Sequence, residues 1–282
     1  MHDVGDLLDV LDLRRIGASV FEGRNGALDL PRVFGGQLAA QALVAAARTV
    51  PAPLVPQSLH ATFLRPGRSG LANRFEVTHV RDGRSRTTRA VDLLQDGKAV
   101  LRLTAAFGTP AAGVAHQTPA PEAGRPGDAP TLDESIADVG GLTGLWSGFS
   151  AVEIRVAPCA DGPPSRGLLW MRAAGPLPAD PLVHAAVLCY ATDLTLLSAA
   201  LVPHGLRLGR ERDHDHAWDT VSLDHALWLH HIPRADEWLL FDQHSPVASH
   251  GRSLATAHVY DRTGELCATV TQEGLLVATP LA

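Results

Sequence analysis

Lysine is almost absent from this chain, no run of eighteen apolar residues occurs, and the three cysteines, Cys159, Cys189 and Cys267, form no Cys-x-x-Cys pair. Each absence excludes something. With a formal net charge of −6 and few clustered cations, the chain lacks the basic surface that a phosphate backbone requires, so no nucleic-acid partner is expected. The missing apolar run argues against a membrane span, and the acidic start (MHDVGD) is unlike the basic start of a secretory signal. An odd number of widely spaced cysteines suits a reducing compartment better than a disulfide framework, and a cytoplasmic location is expected. The motifs GxxxxGK[ST], GxGxxG and GxSxG are also missing, which removes the usual signatures of nucleotide-triphosphate, dinucleotide and α/β-hydrolase chemistry. The histidine-rich stretches Asp213-His214-Asp215-His216 and His230-His231 have no recognised ligand spacing, so they read as solvated loop, with no metal and no cofactor expected.

What is present is a soluble, globular composition, 45% apolar and 19% charged over 282 residues. A Pro-, Ala- and Gly-rich stretch without periodicity follows Phe107 and divides the chain. The expected organisation is an N-terminal unit (1–108), a linker (109–135) and a C-terminal unit (136–282). The two units repeat one another. Gly83-Arg84-Ser85 through Val91 matches Gly251-Arg252-Ser253 through Val259, Gln95-Asp96-Gly97-Lys98 matches Arg262-Thr263-Gly264-Glu265, and His60 through Leu64 matches His225 through Leu229. The matches keep their order and drift by only a few residues, as a duplication with short loop changes would.

Within each unit an apolar helix precedes alternating strands with tight Gly-containing turns. Arg74 to Thr78 and Ala99 to Thr104 alternate as half-buried antiparallel strands do. The first helix, about Gly35 to Val50, is apolar nearly all round; the second starts at Asp180-Pro181, an N-cap followed by proline, and is expected to run to about Ala200. An α+β fold follows, with an antiparallel sheet wrapped around one long helix in each repeat.

Three polar residues stand out because the first repeat does without them. Asp193 falls within the apolar stripe formed by Val183, Ala186, Val187, Tyr190, Leu194 and Leu197, where a carboxylate is costly unless paired. It is either a helix-end group reaching solvent or a general base with a perturbed pKa. Gln272 shares the inward face of Leu266, Ala268 and Val270, and its counterpart is Ala105; it is either a hydrogen-bond plug or a substrate-orienting amide. Ser222 opens the strand that continues Asp224-His225. Alternation keeps Ser222, Asp224 and His225 from forming a triad from this segment alone. Arg81, Arg84, Arg86 and Arg89 form a basic strip, read as a solvated edge strand or as a phosphate-docking patch.

The segments Val33-Phe34-Gly35-Gly36-Gln37, Phe63-Leu64-Arg65-Pro66-Gly67, Arg81-Asp82-Gly83-Arg84-Ser85, Tyr190-Ala191-Thr192-Asp193-Leu194, Ser222-Leu223-Asp224-His225 and Thr271-Gln272-Glu273-Gly274 together resemble the acyl-CoA thioesterase II family. That resemblance implies a double hotdog fold and hydrolysis of acyl-CoA to free acid and CoA, without cofactor, by an Asp, a hydroxyl residue and a Gln. These fall on Asp193, Ser222 and Gln272. Gly36, Arg84 and Ser85, in the first and third segments, are the candidate substrate-binding residues. The implied partners are an acyl-CoA and further copies of the chain in a homo-oligomer, with neither membrane nor nucleic acid. Two other readings remain open: a hotdog enoyl-CoA hydratase, for which Asp180 and His184 would have to stand in at a spacing one residue too short, and a non-catalytic acyl-CoA-binding protein.

Overall fold

The computed structural model describes residues 1–28, 30–159, 161–210 and 216–280. In chain order the first half holds α1 (Val4–Leu11), β1 (Arg14–Gly17), β2 (Val20–Gly23), α2 (Gly35–Ala47), β3 (Val55–Phe63), β4 (Asn73–Arg81), β5 (Arg86–Gln95) and β6 (Lys98–Gly108). The second half holds α3 (Leu132–Ser135), β7 (Val152–Ala157), β8 (Gly167–Ala173), α4 (Pro181–Thr192), β9 (His216–Ser222), β10 (Asp224–Leu229), β11 (Leu239–Ser249), β12 (Arg252–Tyr260) and β13 (Leu266–Pro280).

The strands form one antiparallel sheet in the order β1-β2-β4-β5-β6-β3-β10-β13-β12-β11-β8-β7, with β9 extending the pairing of β13. The second half of that order runs through the repeat counterparts of the first half in reverse. The two repeats meet edge to edge at β3 and β10, where His60 pairs with Ala226 and Ala61 with His225. This is a double hotdog. Each half curls around its own helix, and every residue of α2 from Gly36 to Ala46 is buried, as a helix apolar on all sides requires. The turn between β5 and β6 takes positive φ at both Asp96 and Gly97, the type I′ geometry that matches strand twist.

Four details depart from the sequence reading. The helix expected to run to Ala200 ends at Thr192, with Asp193 at its C-cap, and Leu196–Ala200 continues as a 3₁₀ turn. Polar side chains hold the chain out of the helix there: Thr195 donates to Gln243 at 2.9 Å, and Asp193 is bound as described below. Second, the repeat match through His60 slips by one residue. The sheet pairs Leu59 with Ala105, while the Ala226–Thr271 pair brings His225 to Gln272, so the counterpart of His225 is Leu59. A one-residue slip reverses the face, and His60 is indeed exposed where His225 is buried. Third, β5 is an interior strand, and Arg89 on it is 1% exposed, its guanidinium shared among Asp82, Thr49 and the Arg81 carbonyl. It is thereby removed from any phosphate-docking strip. Fourth, the stretch taken as linker contains α3, and its Ala123 and Ala129 are buried against Trp170, Leu240 and Tyr260 on the outside of the sheet.

The most apolar eighteen-residue window of Pro181–His204 has a mean hydropathy of 1.8, enough by length and composition for a membrane span, yet 78% of that window lies buried inside the molecule. Its apolarity is satisfied by the surrounding sheet.

Candidate active site

Helices α2 and α4 pack against each other, with the start of α2 beside the end of α4. Phe34, at the N-cap of α2, offers no side-chain acceptor for the first turn, which leaves the N–H groups there seeking one. Asp193 supplies it. The Gly36 N–H donates to the Asp193 carboxylate, joining the first half to the end of α4 in the second. Glycine is required for this approach: a Cβ on Gly35 would stand 2.9 Å from Asp193 Oδ2, and one on Gly36 would stand 2.8 Å from the Tyr190 carbonyl oxygen.

Asp193, Ser222 and Gln272 converge from α4, β9 and β13. The Ser222 hydroxyl donates to Asp193 Oδ1 at 3.1 Å, and Gln272 Nε2 donates at 2.5 Å both to Asp193 Oδ1 and to Ser222 Oγ. Gln272 is fully buried and Asp193 is 9% exposed. Burial pushes the Asp193 carboxyl above the ordinary carboxylate range, against the opposing effects of nearby His225 and the three hydrogen bonds. The carboxylate is therefore dehydrated but held by donors.

His225 joins the same cluster, and reasoning from alternation missed it. A strand break at Leu223, whose N–H donates to Glu273 O and whose carbonyl accepts from Phe63 N–H, lets Ser222 and His225 both reach Gln272. Asp224 turns aside to accept from the Glu273 N–H at 2.7 Å, so no Ser-Asp-His triad forms. The signal that could have found His225 is its inward place in β10, where the corresponding β3 residue is Leu59.

Asp193 and Ser222 open onto a cavity of about 500 Å³ whose walls include Val33, Phe34, Phe63, Trp146, Phe149 and Leu194. Besides Asp193, its charged lining residues among those described are Arg32 and Arg65. Gly36 lies at the α2 terminus just described, whereas Arg84 and Ser85 are exposed between β4 and β5 and do not line this cavity. Asp180 and His184 occupy the opposite end of α4. Asp180 caps the helix through the Leu182 N–H, and His184 Nδ1 accepts from the Ala235 N–H, so both already serve local structure.

The histidine-rich residues 213–215 lie outside the described residues. Elsewhere, His231, Asp261 and Glu265 bring ligand-type atoms within 4.8 Å of one another, but Asp261 already accepts from Thr263 and Glu265 N–H groups in a tight turn.

Residues 26–108 match the family described as the acyl-CoA thioesterase N-terminal domain, and residues 118–276 match its C-terminal domain. The chain belongs to the acyl-CoA thioesterase II family. Among its thioesterase relatives, acyl-coenzyme A thioesterase 8 of Homo sapiens is 31% identical over 96% of this chain and 88% of that one. Acyl-CoA thioesterase 2 of Haemophilus influenzae is 29% identical over 98% and 99%. The solved structure of acyl-CoA thioesterase II TesB2 from Mycobacterium marinum is 37% identical, with a TM-score of 0.82 over 97% of this chain and 98% of that chain. A dehydratase domain of PpsC from Mycobacterium tuberculosis, 15% identical with a TM-score of 0.52 over 92% of this chain, shares the fold.

Proposed function

We propose that this thioester hydrolase cleaves acyl-CoA by direct attack of water, with Asp193 as general base and Ser222 and Gln272 as the groups that orient it. The observation that carries the reading is the convergence of a buried carboxylate, a hydroxyl and an amide beside an apolar cavity, with the carboxylate of Asp193 and the hydroxyl of Ser222 on its wall and the Gln272 amide behind them. Ser222 and Gln272 both occupy Asp193 Oδ1, which, with the Gly36 N–H also on the carboxylate, leaves a lone pair of Oδ2 to receive a water. Asp193 takes a proton from that water as its oxygen bonds to the thioester carbon, and the carbonyl electrons move onto oxygen. Collapse of the tetrahedral species breaks the C–S bond, and the CoA sulfur leaves with the proton Asp193 had accepted. A carboxyl with a raised pKa is the stronger base for the first of these transfers.

The N-terminus of α2, directed at this point, puts partial positive charge where the oxyanion develops. The acyl chain occupies the aromatic and aliphatic cavity, and Arg32 and Arg65 at its lining meet the anionic CoA moiety. We place this activity in the cytoplasm and in fatty-acid metabolism, without a cofactor, with two hotdogs in units 1–108 and 136–282 and only the second supplying side chains to the chemistry.

The test is thiol release from a panel of straight and branched acyl-CoAs by wild type and Asp193→Asn. Removing a general base costs roughly 10²- to 10⁴-fold in kcat. Normal turnover by a folded Asp193→Asn variant would overturn the mechanism.

A further inference from the structure

His225 is the polar member of the cluster that this chemistry leaves without a role. It is 1% exposed, and both ring nitrogens have partners: Nδ1 lies 3.3 Å from Gln272 Oε1, and Nε2 lies 3.0 Å from Thr192 Oγ1. Both hydrogens of the Gln272 amide are engaged, one on Asp193 and one on Ser222. If the amide were turned round, its oxygen would face the carboxylate, and both donations would be lost. The carboxylate thus favours one orientation of the amide, and a hydrogen-bond donor opposite Oε1 is needed to complete the hold.

His225 Nδ1 supplies that donor. On the far side of the ring, the Thr192 hydroxyl also donates to the Cys189 carbonyl at 2.8 Å. With its hydrogen engaged there, Nε2 must donate as well and the ring is a cation; with the hydroxyl turned to Nε2, the ring is neutral. Nδ1 carries a hydrogen in both arrangements, so the hold on Gln272 persists through either state.

The duplicated fold contains an internal comparison. In the first half the corresponding positions are Leu59 and Ala105, paired across β3 and β6 and both fully buried. The sheet therefore accepts an apolar pair at this place. The half without the amide is also the half without the imidazole.

We propose that His225 is a positioning residue that acts through Gln272, fixing the orientation of its amide and so keeping the Asp193 oxygens and Ser222 in register for the attacking water. This rests on the thioesterase mechanism proposed above. It predicts that the effect of losing His225 is exerted on kcat and only in the presence of Gln272.

The experiment is a double-mutant cycle on the full chain, following thiol release from an acyl-CoA that wild type hydrolyses. His225→Leu, which copies the first repeat, is expected to lower kcat roughly ten- to hundredfold, the usual cost of losing a supporting hydrogen bond, with KM within about twofold. The His225→Leu, Gln272→Ala double variant should then be no slower than Gln272→Ala alone. Two further variants separate orientation from packing. His225→Asn places an amide where Nδ1 was and should recover most of kcat, whereas His225→Gln, whose amide reaches toward Thr192, should not. Wild-type kcat in His225→Leu, or equal losses in the Asn and Gln variants, would overturn the role of His225, as would full additivity in the cycle. Absence of thiol release by wild type would instead sink the hydrolase mechanism itself. If the Leu variant fails to fold, the Asn and Gln comparison decides alone.

Discussion

Asp193 illustrates how a single residue carries opposing demands. Burial raises its pKa, so the folded state binds that proton more tightly than the unfolded chain does. The sign follows: the favourable contribution is complete below the unfolded carboxylate pKa and is lost as pH rises through the folded value, so the ionised group costs stability under working conditions. Asp193→Asn should consequently melt at a higher temperature than wild type at neutral pH, with the difference shrinking in acid; thermal melts between about pH 4 and pH 8 check this. In the proposed mechanism the same ionisation switches the base on, so kcat/KM should rise with pH through a midpoint above the ordinary carboxylate range. A midpoint in the usual Asp range would contradict the environment described for Asp193.

At the scale of elements, the contact between the start of α2 and the end of α4 decides whether the cluster exists. Gly36→Ala would drive a Cβ to 2.8 Å from the Tyr190 carbonyl and 2.6 Å from the Phe34 ring. It should separate the two helices, lowering kcat and the urea midpoint together, whereas substitution at exposed Gly70, around which a Cβ meets nothing, should leave both unchanged. A different kind of contact lies beyond the other end of α4. Asp236, its side chain 7% exposed, accepts from the Leu177 N–H at 3.0 Å and from Arg234 at 2.7 Å. The Arg234 hydrogen bond leads in holding its pKa far below the usual range. Stability from this group is present above the unfolded carboxylate pKa and lost as pH falls through the depressed folded value. Asp236→Asn should cost about 1–3 kcal/mol in urea unfolding at neutral pH, the penalty of weakening a buried hydrogen-bond acceptor, and less in strong acid.

For the whole molecule, the electrostatics of the site run against those of the chain. A protein of net charge −6 presents two arginines, Arg32 and Arg65, at the cavity proposed to receive the anionic acyl-CoA. Arg65→Ala should raise KM for acyl-CoA but not for the corresponding N-acetylcysteamine thioester, which lacks phosphates, and the wild-type KM for acyl-CoA should rise with salt as screening takes hold. Equal effects on both substrates would mean that Arg65 acts on the acyl cavity instead. The double hotdog already contains internally the pairing of two repeats, through β3 and β10. Self-association beyond it would add further interfaces, which light scattering at the protein's working concentration measures.

Much of this was legible in the residues themselves, because it depends on local pattern. Helix start at Asp180-Pro181, strand alternation in β4 and β6, and the absence of Asp193, Ser222 and Gln272 equivalents from the first repeat are properties of nearby residues and of one half set against the other. The tertiary structure decided what depends on register and contact. Strand pairing moved the counterpart of His225 from His60 to Leu59, the break at Leu223 put Ser222 and His225 on the same amide, and the position of β5 between β4 and β6 buried Arg89. Above all, the Gly36 N–H reaches Asp193 across more than half the chain's length, and no periodicity within either repeat encodes which ends of two separately wrapped helices will meet.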